Sequence, residues 1–254
     1  MSNYFETGHS KNVANLEDLI SYCTAYGTSY NPTKNSIKLT ALNTLLTTAK
    51  GNLNTVTSTL TAFHNATNAR EIAFEPVKAL STKILNALIA CGASDQTIND
   101  FKTINRKVQG KRAGSKLTKA DAGKLIDPNS TTPPPEETDS SISAAQLSYD
   151  SLVDHYTKIV ALLTSEPLYI PNEASIKVTA LNTLLTNLTS TNTGVIGATT
   201  AYSNARIARN KTLYLPNTGL IDVVKDVKAY IKSVFGATSP EYKQISGIKF
   251  TKSR

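Results

Sequence analysis

The sequence predicts an all-α fold of two homologous helical-bundle repeats, each with one long helix of about 40 residues and two or three shorter helices packed on it. Three observations carry this expectation. An apolar seam with steps of 4 and 3 runs through more than four heptads in two places, without proline. The same block recurs: SIKLTALNTLL at 36–46 and SIKVTALNTLL at 175–185 agree at ten of eleven positions, at an offset of 139. No stretch shows the period-two alternation of a strand.

The composition permits such a fold. Of the 254 residues, 40% are hydrophobic and 18% charged, which leaves a core feasible and rules out wholesale disorder. No apolar run approaches the ~18 residues of a membrane span. The start, Met1 to Glu6, lacks the basic and then apolar pattern of a secretory signal. A soluble, cytoplasmic protein is the expectation.

In chain order, Ser10 is placed to cap a helix running to about Tyr26, with Val13, Leu16, Leu19, Ile20 and Cys23 on one face. Gly27 to Pro32 breaks it. The first seam follows as Leu42, Leu46, Ala49, Leu53, Val56, Leu60, Phe63, Thr67, Arg70 and Phe74, one helix from about 35 to 74. Pro76 opens the next helix, which ends near Cys91-Gly92, and Ser94 caps another over 95–108. In the second stretch the seam reads Leu181, Leu185, Leu188, Asn192, Val195, Thr199, Tyr202, Arg206, Arg209 and Leu213, with Gly194 and Gly197 inviting a kink. A helix from about Thr218 to Phe235 and a brief one opened by Ser239-Pro240 complete it. Cys91-Gly92-Ala93-Ser94 aligns with Phe235-Gly236-Ala237-Thr238. The expected boundaries are therefore a repeat over 1–112, a basic then Pro-rich acidic linker over 113–147, and a repeat over 148–254.

Four further segments carry a resemblance. They are Tyr4-Phe5-x-Thr7-Gly8 with Asn12-Val13-Ala14-Asn15, then Pro171-Asn172-Glu173-Ala174, then Asn204 to Asn210, then Gly236 to Gln244. Together they resemble an uncharacterised family of duplicated, leaderless helical-bundle proteins predicted from Bacteroidota genomes. The resemblance spans essentially the whole chain. It implies the architecture and no activity.

Candidate chemistry is sparse. Cys23 and Cys91 form no CxxC pair and are expected as small core residues. His9, His64 and His155 stand far apart and lack partners at metal spacing. No ExxH pair, phosphate loop or nucleophile elbow occurs, so no catalytic, cofactor or metal site is expected. The 34 threonines suggest a weakly charged, hydrogen-bonding surface. Arg70 and Arg209 occupy equivalent seam positions, and Arg206 joins them in the second stretch. A buried arginine needs a partner, and Asp222 or Asp226 could serve Arg209. A ligand reading has Arg206 and Arg209 gripping an anion.

The net charge of +8 is uneven. Between 102 and 124 stand Lys102, Arg106, Lys107, Lys111, Arg112, Lys116, Lys119 and Lys124 against the single acid Asp121. The primary functional expectation is a non-catalytic structural or interaction protein with a protein partner or a second copy. The alternative is sequence-independent nucleic-acid binding through the basic segment, since phosphate contacts require only clustered Lys and Arg. No base-reading motif or aromatic platform accompanies those charges.

Overall fold

A computed structural model describes residues 6–111 and 147–252. The described residues form helices α1 (Glu6–Ala25), α2 (Leu39–Phe74), α3 (Val77–Ala90), α4 (Asp95–Gln109), α5 (Tyr149–Ser165), α6 (Val178–Tyr214), α7 (Leu220–Phe235) and α8 (Pro240–Ser246). Short 3-10 turns at Asn35–Ile37 and Ala174–Ile176 lead into the two long helices. Among the described residues there is no strand, and no helix is long and apolar enough to cross a membrane. Apart from Leu147, the expected linker lies outside the described residues.

The helix ends follow from local chemistry. Ser94, Ser148 and Ser239 accept the backbone N–H of Thr97, Ser151 and Tyr242 at 3.1, 3.2 and 3.0 Å, satisfying donors that the first turn leaves orphaned. Gly110 ends α4 at φ +76°, a left-handed position that suits glycine. Gly219 opens α7 where a Cβ would lie 2.6 Å from the Leu215 nitrogen, so only glycine fits. Ser10 is not a cap: α1 begins earlier, at Glu6. The kink invited by Gly194 and Gly197 does not break α6, which runs through all 37 residues.

Packing groups the chain into two compact units: residues 1–65 with 196–254, and residues 66–195. In the first unit α1 buries Val13, Leu16, Leu19, Ile20 and Cys23, the face expected from its spacing. These meet Leu42, Leu46 and Ala49 of α2 and Leu220, Val224, Val227 and Ile231 of α7. Polar side chains fasten the joins. Asn12 pairs with the Thr251 backbone in both directions, at 2.8 and 3.0 Å, and Asn15 donates to the Lys249 carbonyl at 2.6 Å. His9 and the Tyr214 hydroxyl share a 2.6 Å hydrogen bond.

In the second unit, Phe74 at the end of α2, Val77, Ile84 and Leu88 of α3, and Phe101 and Val108 of α4 pack with Tyr156, Ile159 and Leu163 of α5 and Leu181 and Leu188 of α6. The loops entering the long helices are built alike. The Tyr30 hydroxyl donates to the Ile37 carbonyl at 2.6 Å, and the Tyr169 hydroxyl to that of Ile176 at 3.0 Å.

This grouping differs from the sequence boundaries at 112 and 148. The short helices α3 and α4 were expected along their own long helix; they pack on α5 and the start of α6 instead. Length explains it. At 1.5 Å per residue α2 spans about 54 Å, while α3 reaches back only about 21 Å. The residues after α2 therefore cannot return to the core that α1 and the start of α2 build.

It follows that residues 1–111 and 147–254 should not fold separately. Expressed alone, each half leaves one face of every core bare; co-expressed, they should copurify at one-to-one stoichiometry. Two independently folded halves, each with a sharp melt, would contradict the packing.

Candidate functional site

Arg70 is half-buried near the end of α2 and works as a fastener. Its guanidinium carbon lies 3.9 Å from the centroid of the Tyr149 ring. Its Nη1 donates to Asn192 Oδ1 at 3.3 Å, and Asn192 Nδ2 donates to Asp150 Oδ1 at 2.6 Å. Phe74 stands edge-on to the same Tyr149 ring at 4.8 Å. Cation, ring and amide thus join α2, α5 and α6 within one unit.

Arg209 is only 3% exposed, as its seam position requires, and its Nε and Nη2 both donate to Asn210 Oδ1 at 3.1 and 2.8 Å. The two acids expected to pair with it are engaged elsewhere. Asp222 accepts from Lys225 at 2.8 Å and from the Asn217 amide at 3.1 Å, and Asp226 accepts from Lys34 at 2.5 Å. Arg206 is not on the seam. It is exposed over Tyr202 at 5.5 Å, and Ala205 takes the buried place. A helix with 3.6 residues per turn drifts about 20° per heptad from a strict 3.5 repeat, and the shift of one residue reflects it. Arg206 and Arg209 therefore do not converge on one anion.

Of the basic segment, Lys102, Arg106, Lys107 and Lys111 are described; Arg112, Lys116 and Lys119 lie outside the described residues. Lys102 and Lys111 are exposed. Arg106 and Lys107 are half-buried in the last turn of α4, where cations offset the partial negative charge of the free carbonyls. The surface threonines are also turned to local use. Along α2 the hydroxyls of Thr44, Thr48, Thr55 and Thr61 donate to the carbonyl four residues back, so their only O–H donors are not offered to a partner.

Both cysteines are free. Cys23 is fully buried and burial pushes its thiol up to about 11, whereas Cys91 is half-exposed. Among the described residues no three His, Cys, Asp or Glu side chains gather as a metal site. His155 is buried, and neither ring nitrogen has a hydrogen-bond partner. Burial holds its pKa below the usual histidine value; Lys107 and Lys158 add to this and Asp154 opposes it.

One concavity was not found from sequence. A cleft of about 580 Å³ opens on the second unit between α3 and the loop after Tyr169, lined by Lys83, Ala87, Cys91, Ile170 and Glu173. Tyr169 forms its wall; burial first, then Cys91 and Glu173, raise its hydroxyl to about 12. The apolar side chain of Ile170 is 81% exposed there.

Compared with known protein families, curated proteins and solved structures, the chain matches none.

Two outcomes test this reading of the buried groups. Arg70→Met should lower stability by about 1–3 kcal/mol, because Asn192 loses its donor. A double-mutant cycle with Tyr149→Leu should return a coupling of about 0.5–2 kcal/mol in chemical denaturation; zero coupling would dismiss the stacking. His155 should tie stability to pH. Its folded pKa lies below its unfolded value near 6.5, so the neutral form favours folding fully above that value. As pH falls the unfolded chain takes up the proton first, and stability is lost down to the folded pKa. The melting temperature of His155→Gln should decline less than that of the wild type between about pH 7 and 5.

Proposed function

We propose that this chain is a non-catalytic cytoplasmic scaffold, akin to the duplicated helical proteins it resembles, built from a duplicated helical unit whose two copies exchange halves and holding a protein partner or a second copy. The exchange is read from the pairing of each copy's first helix and loop with the other copy's last helices. One observation carries the functional reading. Polar side chains of both cores are committed to fastening segments far apart in the chain: Asn12 to Thr251, Asn15 to Lys249, His9 to Tyr214, and Arg70 to Asn192. Groups held in such joins are not free to shuttle protons or grip substrate.

The alternative reading, nucleic-acid binding, rests on Lys102 and Arg106, which stand one turn apart on α4 at the start of the basic segment. Contacts made by such charges would be independent of sequence and would weaken by roughly one unit of log affinity per unit of log salt for each phosphate neutralised.

One experiment separates the two. The full chain, affinity-purified from its native cells with and without nuclease, should bring down a defined protein in fixed ratio under both conditions, or elute as a stable oligomer of itself. Nuclease-sensitive recovery, with nucleic acid in the eluate and a steep loss on raising salt, would replace the scaffold reading by the alternative. A monomer with no retained macromolecule would defeat both.

A further inference from the structure

The two loops that enter the long helices meet different surroundings, and the difference has a chemical direction. The buried positions of α7, Leu220, Val224, Val227 and Ile231, follow the same 4-3-4 spacing as Val77, Ser81, Ile84 and Leu88 of α3. In that register Asp226 corresponds to Lys83 and Tyr230 to Ala87. Across the loops, the offset of 139 sets Lys34 against Glu173 and Asn31 against Ile170.

In the first unit this corner is filled. The Tyr230 ring stands edge-on to Tyr30 at 5.4 Å and 88°. Its hydroxyl accepts the Asn31 N–H at 3.1 Å, and Lys34 and Asp226 close the rim at 2.5 Å. In the second unit Ala87 supplies no ring, and the cleft of about 580 Å³ stands in its place against Tyr169. The rim keeps both charges with their signs exchanged, as Lys83 and Glu173. Both line the cleft, and neither is among the ion pairs of the described residues.

We infer that this cleft is the seat for a tyrosine side chain of a partner protein, carried on an exposed segment with an acidic residue to meet Lys83 and a basic residue to meet Glu173. The chain itself shows the chemistry that suits such a corner: a phenol ring against a buried tyrosine, under a pair of opposite charges. Its own undescribed stretch next to this unit cannot supply the ring, because residues 112–146 contain no aromatic. The inference deepens the scaffold reading and rests on it, by stating what that scaffold holds and where.

Cys91 lines the cleft and is half-exposed, while Cys23 is fully buried, so alkylation of Cys91 by iodoacetamide reports on occupancy of the full-length protein. The probe is a short peptide with a tyrosine between a glutamate and a lysine, with its Tyr-to-Ala analogue as control. The tyrosine peptide should slow alkylation of Cys91 in a saturable way, and the alanine peptide should not. Ala87→Tyr, which copies the filled corner, should keep the helical circular dichroism and melting temperature and lose the protection. Lys83→Glu, at an exposed position, should raise the half-protecting concentration about two- to fivefold. Equal rates with both peptides, or undiminished protection in Ala87→Tyr, would overturn the inference. So would equal protection by N-acetyltyrosinamide, which assigns the cleft to a small molecule, or a wild-type dimer abolished by Ala87→Tyr, which assigns it to a second copy. A native partner captured equally by wild type and Ala87→Tyr would leave the scaffold standing and remove this seat alone.

Discussion

The rigidity of two unbroken helices governs everything else in this molecule. α2 and α6 run for 36 and 37 residues without an interior proline, and each contributes its first part to one compact unit and its last part to the other. The segments before and after each of them bury their apolar faces in different units. Each core is therefore assembled from pieces remote in sequence, such as Leu16 with Val227 and Phe101 with Ile159. A fully buried leucine or isoleucine contributes about 1.5–3 kcal/mol. Most of that gain appears only after long loops have closed, which links stability to cooperative assembly of both halves of the chain.

The same constraint explains where the polar groups went. Segments that meet late need specific registration, and directional bonds supply it. Asn12 pairs with the backbone at Thr251 much as a neighbouring strand would, using both ends of its amide. Arg70 stands at the far end of α2, where it reaches the start of α5 through Tyr149 and the middle of α6 through Asn192. Each buried donor removed from water must find an acceptor, so these positions discriminate between correct and shifted packings more sharply than the apolar residues around them.

Much of this was legible in the sequence, for identifiable reasons. The seam of α2 and the apolar face of α1 obey helical period, and a period is visible without coordinates. Ser94 and Ser239 announce helix starts by residue type alone. What stayed hidden depends on three-dimensional closure. The partners of α3 and α4 could not be read from local pattern, because an apolar face states that it must be covered and not by what. Arg206 was misassigned to the seam because a strict heptad and a straight helix part company over several turns. The cleft beside Ala87 escaped notice because its signal is a difference between two corners, a small residue in one unit where Tyr230 stands in the other, and that signal acquires meaning only once α3 and α7 are superposed by burial.

On the proposed reading of two copies, the chain could close in two ways, each copy on itself or each on the other, and the rim charges bear on which. Exchanged, loop and helix bring Lys34 to Asp226 and Glu173 to the side of Lys83. Closed on itself, the first copy would set Lys34 beside Lys83 and the second would set Glu173 beside Asp226. Every pairing across copies is attractive and every pairing within a copy repulsive, the pattern of specificity obtained by penalising the alternative. Its size fixes its rank. These groups are solvent-exposed, and such pairs are worth about 0–1 kcal/mol each. Closing a copy on itself would instead require breaking a long helix near its middle, with the loss of several backbone hydrogen bonds at about 1 kcal/mol apiece and the exposure of buried residues such as Val56 or Val195. On that proposed reading helix continuity decides the exchange, and the charges only reinforce it. That leaves the rim of the second unit free to give up its ion pair and its ring without endangering the fold.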